Sequence, residues 1–139
     1  MISTKMLYAW LAGAVGMIIL GVLWHKVIMG GFYDEQGAAI MREEPQMLFV
    51  ILALLILAFL MAYAYPIGYK GGSPITEGLK FGALIGLLAF LPFNLILHGI
   101  FNYTLAGALV DVGWHVVEEG VGGVIIALVY GSGAAPEQS

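Results

Sequence analysis

The sequence predicts an all-α integral membrane protein, a four-helix bundle with up-down-up-down topology. Of its 139 residues, 61% are hydrophobic and only 10% are charged, and the mean hydropathy is +0.97. This balance lies outside the range of soluble domains. Four apolar stretches are each long enough to cross about 30 Å of hydrocarbon at about 1.5 Å per residue. Short connections separate them, so we expect a single domain, residues 1–139, with spans at about 5–27, 47–66, 75–99 and 107–130.

The first span contains no charge between Leu7 and Trp24. Because this run is longer than the apolar core of a secretory signal and only Lys5 precedes it, we expect a membrane span. Gly13 and Gly16 belong to small-xxx-small pairs, which let a partner helix approach closely. We therefore expect this face to pack on protein.

The second and third spans are delimited by turn and cap residues. The second ends at Pro66, and Ser73 followed by Pro74 has the N-cap and first-turn chemistry of a new helix. Between the first two spans, residues 30–45 are too short and polar to cross, and we expect a short amphipathic surface helix there. Gly82 and Gly86 form a GxxxG pair in the third span and indicate close helix packing, as does Gly122 in the fourth.

Polar side chains interrupt the last two spans where hydrocarbon is expected. They recur at helical spacing on one face of each helix: Asn94, His98 and Asn102 in span three, and Asp111, His115, Glu118 and Glu119 in span four. An ionised carboxylate at the bilayer centre costs about 3 kcal/mol. Protonation, pairing with histidine, a metal ion or a partner subunit could each compensate. The favoured interpretation is a functional site facing the bundle interior. One alternative is a structural network that fixes helix register, and the other is a fourth helix whose first turns lie at an aqueous mouth.

Four spans place all three histidines in the same half of the membrane. A turn centred near residue 104 or 105 would set His98 opposite Asp111 and Asn94 opposite His115. A turn two residues later would pair His98 with His115. His98, His115 and the nearby carboxylates are thus the expected cluster.

His25 is the more distant candidate. Counting along the helices places it about 15 Å above the midplane, whereas His115 lies only about 4 Å above it. One ion bridging all three histidines would therefore need a helix tilt or a kink at Pro92.

Several ligands fit this cluster. His115-x-x-Glu118 is the reverse of the Glu-x-x-His motif of di-iron bundles, but span two supplies no carboxylate. A mononuclear Zn, Cu or Fe site therefore remains one alternative. A haem between His98 and His115 is a second, and a proton or ion relay through Asp111, His115 and Glu118 is a third. The metal or haem candidates are His98, His115, Glu118, Glu119 and His25, with Asn94, Asn102 and Asp111 as a polar network.

Short motifs resemble a family of uncharacterised bacterial four-helix membrane proteins, a domain of unknown function. They are Trp24 near the end of span one, Glu44-Pro45-Gln46, Tyr65-Pro66, Gly82 to Leu87, and Asp111 to Trp114. In the family pattern an Asp precedes the first Trp and Asp-Leu-Thr-Asn occurs in span three. Here Leu20 to Leu23 and Asn94 to His98 stand at those places. The resemblance implies the topology and no activity.

Composition narrows the functional classes. The net charge of -4 gives no basic surface for nucleic acid, and the absence of cysteine excludes disulfides, thiolate ligands and iron–sulfur clusters. Two hypotheses follow. The favoured one is a non-enzymatic subunit or ligand-binding module of a larger membrane assembly, in contact with the lipid bilayer and with other subunits or further copies of itself. The other is a metal- or haem-dependent redox protein, or a proton-coupled carrier. The distribution of Lys and Arg favours cytoplasmic termini, and the resemblance to bacterial membrane proteins implies the bacterial inner membrane.

Overall fold

The computed structural model describes residues 2–131 and is all-helical over that range, with no strand. The polar segment of residues 132–139 lies outside the described residues. The helices are α1 (Thr4–Val22), a π-helical continuation of it (Leu23–Ile28), α2 (Gly30–Gly37), α3 (Met47–Gly68), α4 (Pro74–Ile100) and α5 (Leu105–Tyr130). Among the described residues, four helices are long and apolar enough to cross a membrane: α1 with its continuation, α3, α4 and α5. The predicted fold class is confirmed.

Local chemistry fixes the helix starts. The Ser3 side chain accepts a hydrogen bond from the Met6 amide, and Thr104 caps α5 through the Gly107 amide. Ser73 caps α4 through the Thr76 amide, and Pro74 follows at the first helical position. Each cap satisfies an amide that would otherwise lack a partner at the helix end.

The long helices alternate in direction. The end of α1, the start of α3 and the turn between α4 and α5 therefore share one membrane side, which we call the α2 side. Helix α2 lies there, packed against α5 and the π-helical segment. A hydrogen bond from the Thr104 hydroxyl to Gln36 fastens it to the first turn of α5.

Helix α5 is the centre of the bundle, since it packs on α1, α3 and α4. Its contact with α4 is backbone to backbone. A Cβ at Gly86 would lie 2.5 Å from the His115 carbonyl oxygen, and a Cβ at Gly82 would overlap the Glu119 carbonyl. On the other face, Gly13 and Gly16 of α1 lie against isoleucine side chains of α5, and Gly122 lies against Met17. All the glycines named as packing positions stand at helix contacts.

Candidate functional site

The π-helical segment presents His25 to the bundle interior. The His25 Nδ1 lies 3.0 Å from the Gly21 carbonyl oxygen, one turn back toward the membrane centre. A carbonyl can only accept, so Nδ1 carries the hydrogen and Nε2 is left free to face α5. There, Nε2 lies 3.5 Å from Asp111 Oδ1. Single π-helical turns of this kind are frequent at functional sites.

Asp111 is held by a buried amide from α4. Asn94 Nδ2 donates to Asp111 Oδ2 at 3.0 Å and also to the Phe90 carbonyl at 3.1 Å. Both amide hydrogens of Asn94 are therefore used, which orients the side chain. The Asp111 carboxylate consequently has one oxygen tied to α4 and the other directed at His25.

His115 lies between two sets of carboxylates. Its Nε2 lies 3.8 Å from Asp111 Oδ2, while Nδ1 lies 3.2 Å from both Glu118 Oε2 and Glu119 Oε1. The ring stacks on Phe90, with ring centroids 3.3 Å apart and planes 7° apart. Phe90 thus fixes the plane of the imidazole, and the carboxylates fix the directions of its two nitrogens.

Two groups of three ligand atoms share His115. We call His25, Asp111 and His115 the outer triad, and His115, Glu118 and Glu119 the inner triad; within each, the ligand atoms lie within 4.8 Å of one another. The inner triad is buried throughout, whereas His25 and Asp111 are partly exposed. Of the two triads, only the outer one therefore reaches the protein surface.

The inner triad contains carboxylate oxygens without a hydrogen-bond partner in the described part of the chain. These are Glu118 Oε1 and Glu119 Oε2, on side chains that are 1% and 0% exposed. A buried polar atom left unsatisfied costs about 1–3 kcal/mol, and more when charged. At Gly21, an added Cβ would lie 2.8 Å from Glu118 Oε1, so the glycine gives this carboxylate its space. The two carboxylates of the inner triad therefore keep acceptor positions that the described side chains do not fill.

A cavity of about 250 Å³ leads to the outer triad from the α2 side. We call it the vestibule; it is lined by His25 and Asp111 of the triad and by residues Lys26, Tyr33, Asp34, Gly37, Ile40, Met41 and Tyr103. Burial raises the pKa of Tyr103 to about 12, with the Asp111 charge adding to the effect. Burial also raises the pKa of Tyr33. Both phenols remain protonated at neutral pH.

Aromatic rings form the wall beside the vestibule. Trp24 and Trp114 stack with centroids 4.5 Å apart and planes 2° apart. The Trp24 indole donates to the Tyr33 hydroxyl at 3.0 Å, and the Tyr33 ring lies 4.6 Å from the His25 ring. These contacts hold α2 against the π-helical segment, next to the site.

Beyond the inner triad, the described core is apolar. Met17, Met61 and Ile126 are each at most 1% exposed and fill the bundle between the two ends of the membrane. Nearer the termini, the Tyr130 hydroxyl donates to the Ala62 carbonyl at 2.8 Å. Within residues 2–131, the apolar core thus lies between the polar cluster and the termini.

Two residues proposed from the sequence lie away from the cluster. His98 is exposed near the end of α4, where its Nδ1 lies 2.8 Å from the Tyr103 carbonyl oxygen, and it belongs to neither triad. Asn102 is exposed in the turn after α4 rather than on the helix. The pairing of Asn94 with His115 and of His98 with Asp111, expected for a turn at residue 104 or 105, does not occur, and neither does the alternative pairing of His98 with His115. Asn94 meets Asp111 instead, because the turn is centred between residues 102 and 103 and not at 104 or 105.

His25 joins Asp111 and His115, and its ring lies 6.3 Å from that of His115. Counting by helical rise overstated their separation because side chains lean toward the N-terminus of their helix. For α1, which ends on the α2 side, this lean is into the membrane. For α5, which begins there, it is outward, so the two imidazoles approach each other.

Sequence reasoning did not identify Tyr33, Phe90 or Trp114 as neighbours of the site. Two signals were present. Trp24 and Trp114 stand at the same membrane side next to candidate ligands, and Phe90 precedes Asn94 by one helical turn. No pattern in the sequence indicated the π-helical turn.

Comparison with known proteins gives a family and nothing closer. No curated protein and no solved structure matches the chain. A family described as "Predicted membrane protein (DUF2177)" matches residues 6–128, which include every residue of both triads. The chain belongs to this family of predicted membrane proteins of unknown function.

Proposed function

We propose that the protein is a membrane-embedded module that binds one divalent transition-metal ion at the outer triad. The observation that carries this proposal is the convergence of His25 Nε2, His115 Nε2 and the Asp111 carboxylate. Ligands about 2.1 Å from one ion are about 3 to 3.5 Å from each other. His25 Nε2 lies 3.5 Å from Asp111 Oδ1, and His115 Nε2 lies 3.8 Å from Oδ2 of the same carboxylate, so both separations are close to this requirement.

The second nitrogen of each imidazole supports the same assignment. Metal-binding histidines usually donate their other N–H to a carbonyl or carboxylate, which fixes the tautomer and the ring orientation. His25 Nδ1 faces the Gly21 carbonyl, and His115 Nδ1 faces Glu118 and Glu119. The Asn94 amide orients Asp111 in turn. All three ligands thus have the supporting contacts that a metal site needs.

The ligand types define the class of metal. Two imidazoles and one carboxylate suit Fe(II) and Zn(II), and also Co(II) as a substitute. The outer and inner triads cannot both be filled by separate ions while His115 stays a neutral imidazole, since one of its nitrogens then carries a hydrogen. We therefore expect one ion per chain, with Glu118 and Glu119 acting on it through His115.

The apolar half of the bundle favours binding over transport. An ion at the outer triad would have to pass Met17, Met61 and Ile126 to cross the membrane, and these side chains present no charged or amide ligand. We accordingly propose a non-enzymatic binding module rather than a carrier. Its small size and its wide apolar exterior suit a subunit of a larger membrane assembly.

Metal analysis tests the proposal. Protein purified in mild detergent and dialysed against Zn(II) should retain one equivalent. His115→Ala should lose it, and His25→Gln, at a partly exposed position, should weaken binding about 100-fold or more. His98→Gln is the matched control, because it alters a histidine outside both triads, and it should bind like the wild type. Equal retention by the His25 and His98 variants would contradict the assignment.

A further inference from the structure

The outer triad supplies three ligands, which do not complete the shell of any metal in the proposed class. Zn(II) takes four ligands, and Fe(II) in two-histidine, one-carboxylate sites keeps positions open for exogenous molecules. At least one coordination position must therefore be filled by something other than the triad. What fills it depends on what adjoins the site.

The vestibule adjoins the site on its open side. His25 and Asp111 are part of its wall, whereas Glu118 and Glu119 lie behind His115 and away from the cavity. A ligand atom in an open metal position would consequently lie in the vestibule. Its volume of about 250 Å³ equals roughly eight water molecules at about 30 Å³ each, which limits the ligand or ligand group to a small one.

The vestibule wall places hydrogen-bond donors beside the open side of the metal site. Lys26 contributes an ammonium group, and Tyr33 and Tyr103 each contribute a phenol hydroxyl. Besides Asp111, which belongs to the triad, the one carboxylate lining it is the exposed Asp34. Donors and a cation around an open metal position favour a ligand that is negative and accepts several hydrogen bonds.

We propose that the vestibule binds a small oxyanion, a carboxylate or a phosphate group, which coordinates the metal ion through one oxygen while Lys26 neutralises its charge. This inference rests on the proposed function, because it needs the metal at the outer triad. Lys26 lies within three residues of the end of the first candidate span, Thr4–Ile28, where a spanning helix reaches the lipid headgroups. The same oxyanion chemistry can therefore reach the vestibule as a free anion from water or as the phosphate of a lipid.

The visible spectrum of the Co(II)-loaded protein tests this directly, since a change of ligand alters the intensity and position of its bands. Protein in neutral detergent is titrated with sodium formate in one arm and with phosphatidylglycerol micelles in the other. We expect a saturable spectral change in at least one arm. Lys26→Met should weaken it about 10-fold, and Lys70→Met, a matched change in the loop after α3, should leave it unaltered.

Each outcome has a distinct meaning. A response to formate supports the proposal with a free anion as the source, and a response confined to phosphatidylglycerol supports it with the lipid phosphate. Co(II) that binds in one equivalent but responds in neither arm overturns the oxyanion site and leaves the metal site standing. Equal affinities in Lys26→Met and Lys70→Met overturn the placement in the vestibule. Failure of Co(II) to bind overturns the proposed function itself, and with it this inference.

Discussion

The two halves of α5 pack on α4 through the same kind of glycine contact, but they bury different kinds of side chain. Toward the α2 side, α4 approaches through Gly86, and the helix carries His115 and two glutamates against α1 and α4. Toward the termini, α4 approaches through Gly78, and the helix buries Ile126 and Tyr130 among apolar side chains. Close glycine contacts thus set the framework of the whole helix, while the side chains decide that only one half is a site. Changes to the framework should affect both halves, and changes to either set of side chains only one.

The largest effect is expected from a framework glycine. Gly82→Ala places a Cβ against the Glu119 carbonyl of α5, and backbone cannot yield as a side chain can. We expect a loss of about 3 kcal/mol in the free energy of unfolding, measured by denaturation in detergent, together with weaker metal binding. Gly99→Ala is the matched control, since nothing lies within 4 Å of its added Cβ. Similar stabilities for the two variants would show that α4 and α5 are not in backbone contact.

A smaller effect, confined to the polar half, is expected from Glu119→Gln. The substitution keeps the shape but replaces the carboxyl group, whose Oε1 lies 3.2 Å from His115 Nδ1, with an amide that cannot ionise. Losing such a supporting contact typically costs about 10- to 100-fold in metal affinity. Competition with a chelator of known affinity measures the metal affinity. The free energy of unfolding should change little. An unaltered affinity would show that the inner triad does not support the metal ligand.

The smallest effect is expected in the apolar half. Tyr130→Phe removes the hydrogen bond to the Ala62 carbonyl, which should cost about 1 kcal/mol of stability. Metal affinity should not change, because the hydroxyl lies beyond the apolar segment of the core. A marked drop in metal affinity would mean that the two halves are coupled, contrary to the comparison above.

The sequence was sufficient for the framework and for part of the site. Apolar run lengths predicted four helices, and the 3.6-residue period placed Asp111, His115 and Glu118 together on α5, because both depend on the local chain. Which residue of α4 faces Asp111 depends on the turn between α4 and α5. A shift of two residues in the centre of that turn exchanges His98 for Asn94. The place of His25 depends on the π-helical turn and on the lean of its side chain, which counting by helical rise does not include. Long-range register was therefore the part that local pattern could not determine.

In the proposed site, His25 from the π-helical continuation of α1 and Asp111 and His115 from α5 bind a single ion within the membrane. X-ray absorption spectroscopy of the Zn(II)-loaded protein tests this most directly, because imidazole ligands give a distinctive outer-shell scattering pattern. We predict two imidazole nitrogens with oxygen ligands completing the shell at about 2.0–2.2 Å, and one imidazole in His25→Gln. A shell of oxygen atoms alone, or two imidazoles that persist in His25→Gln, would contradict the account.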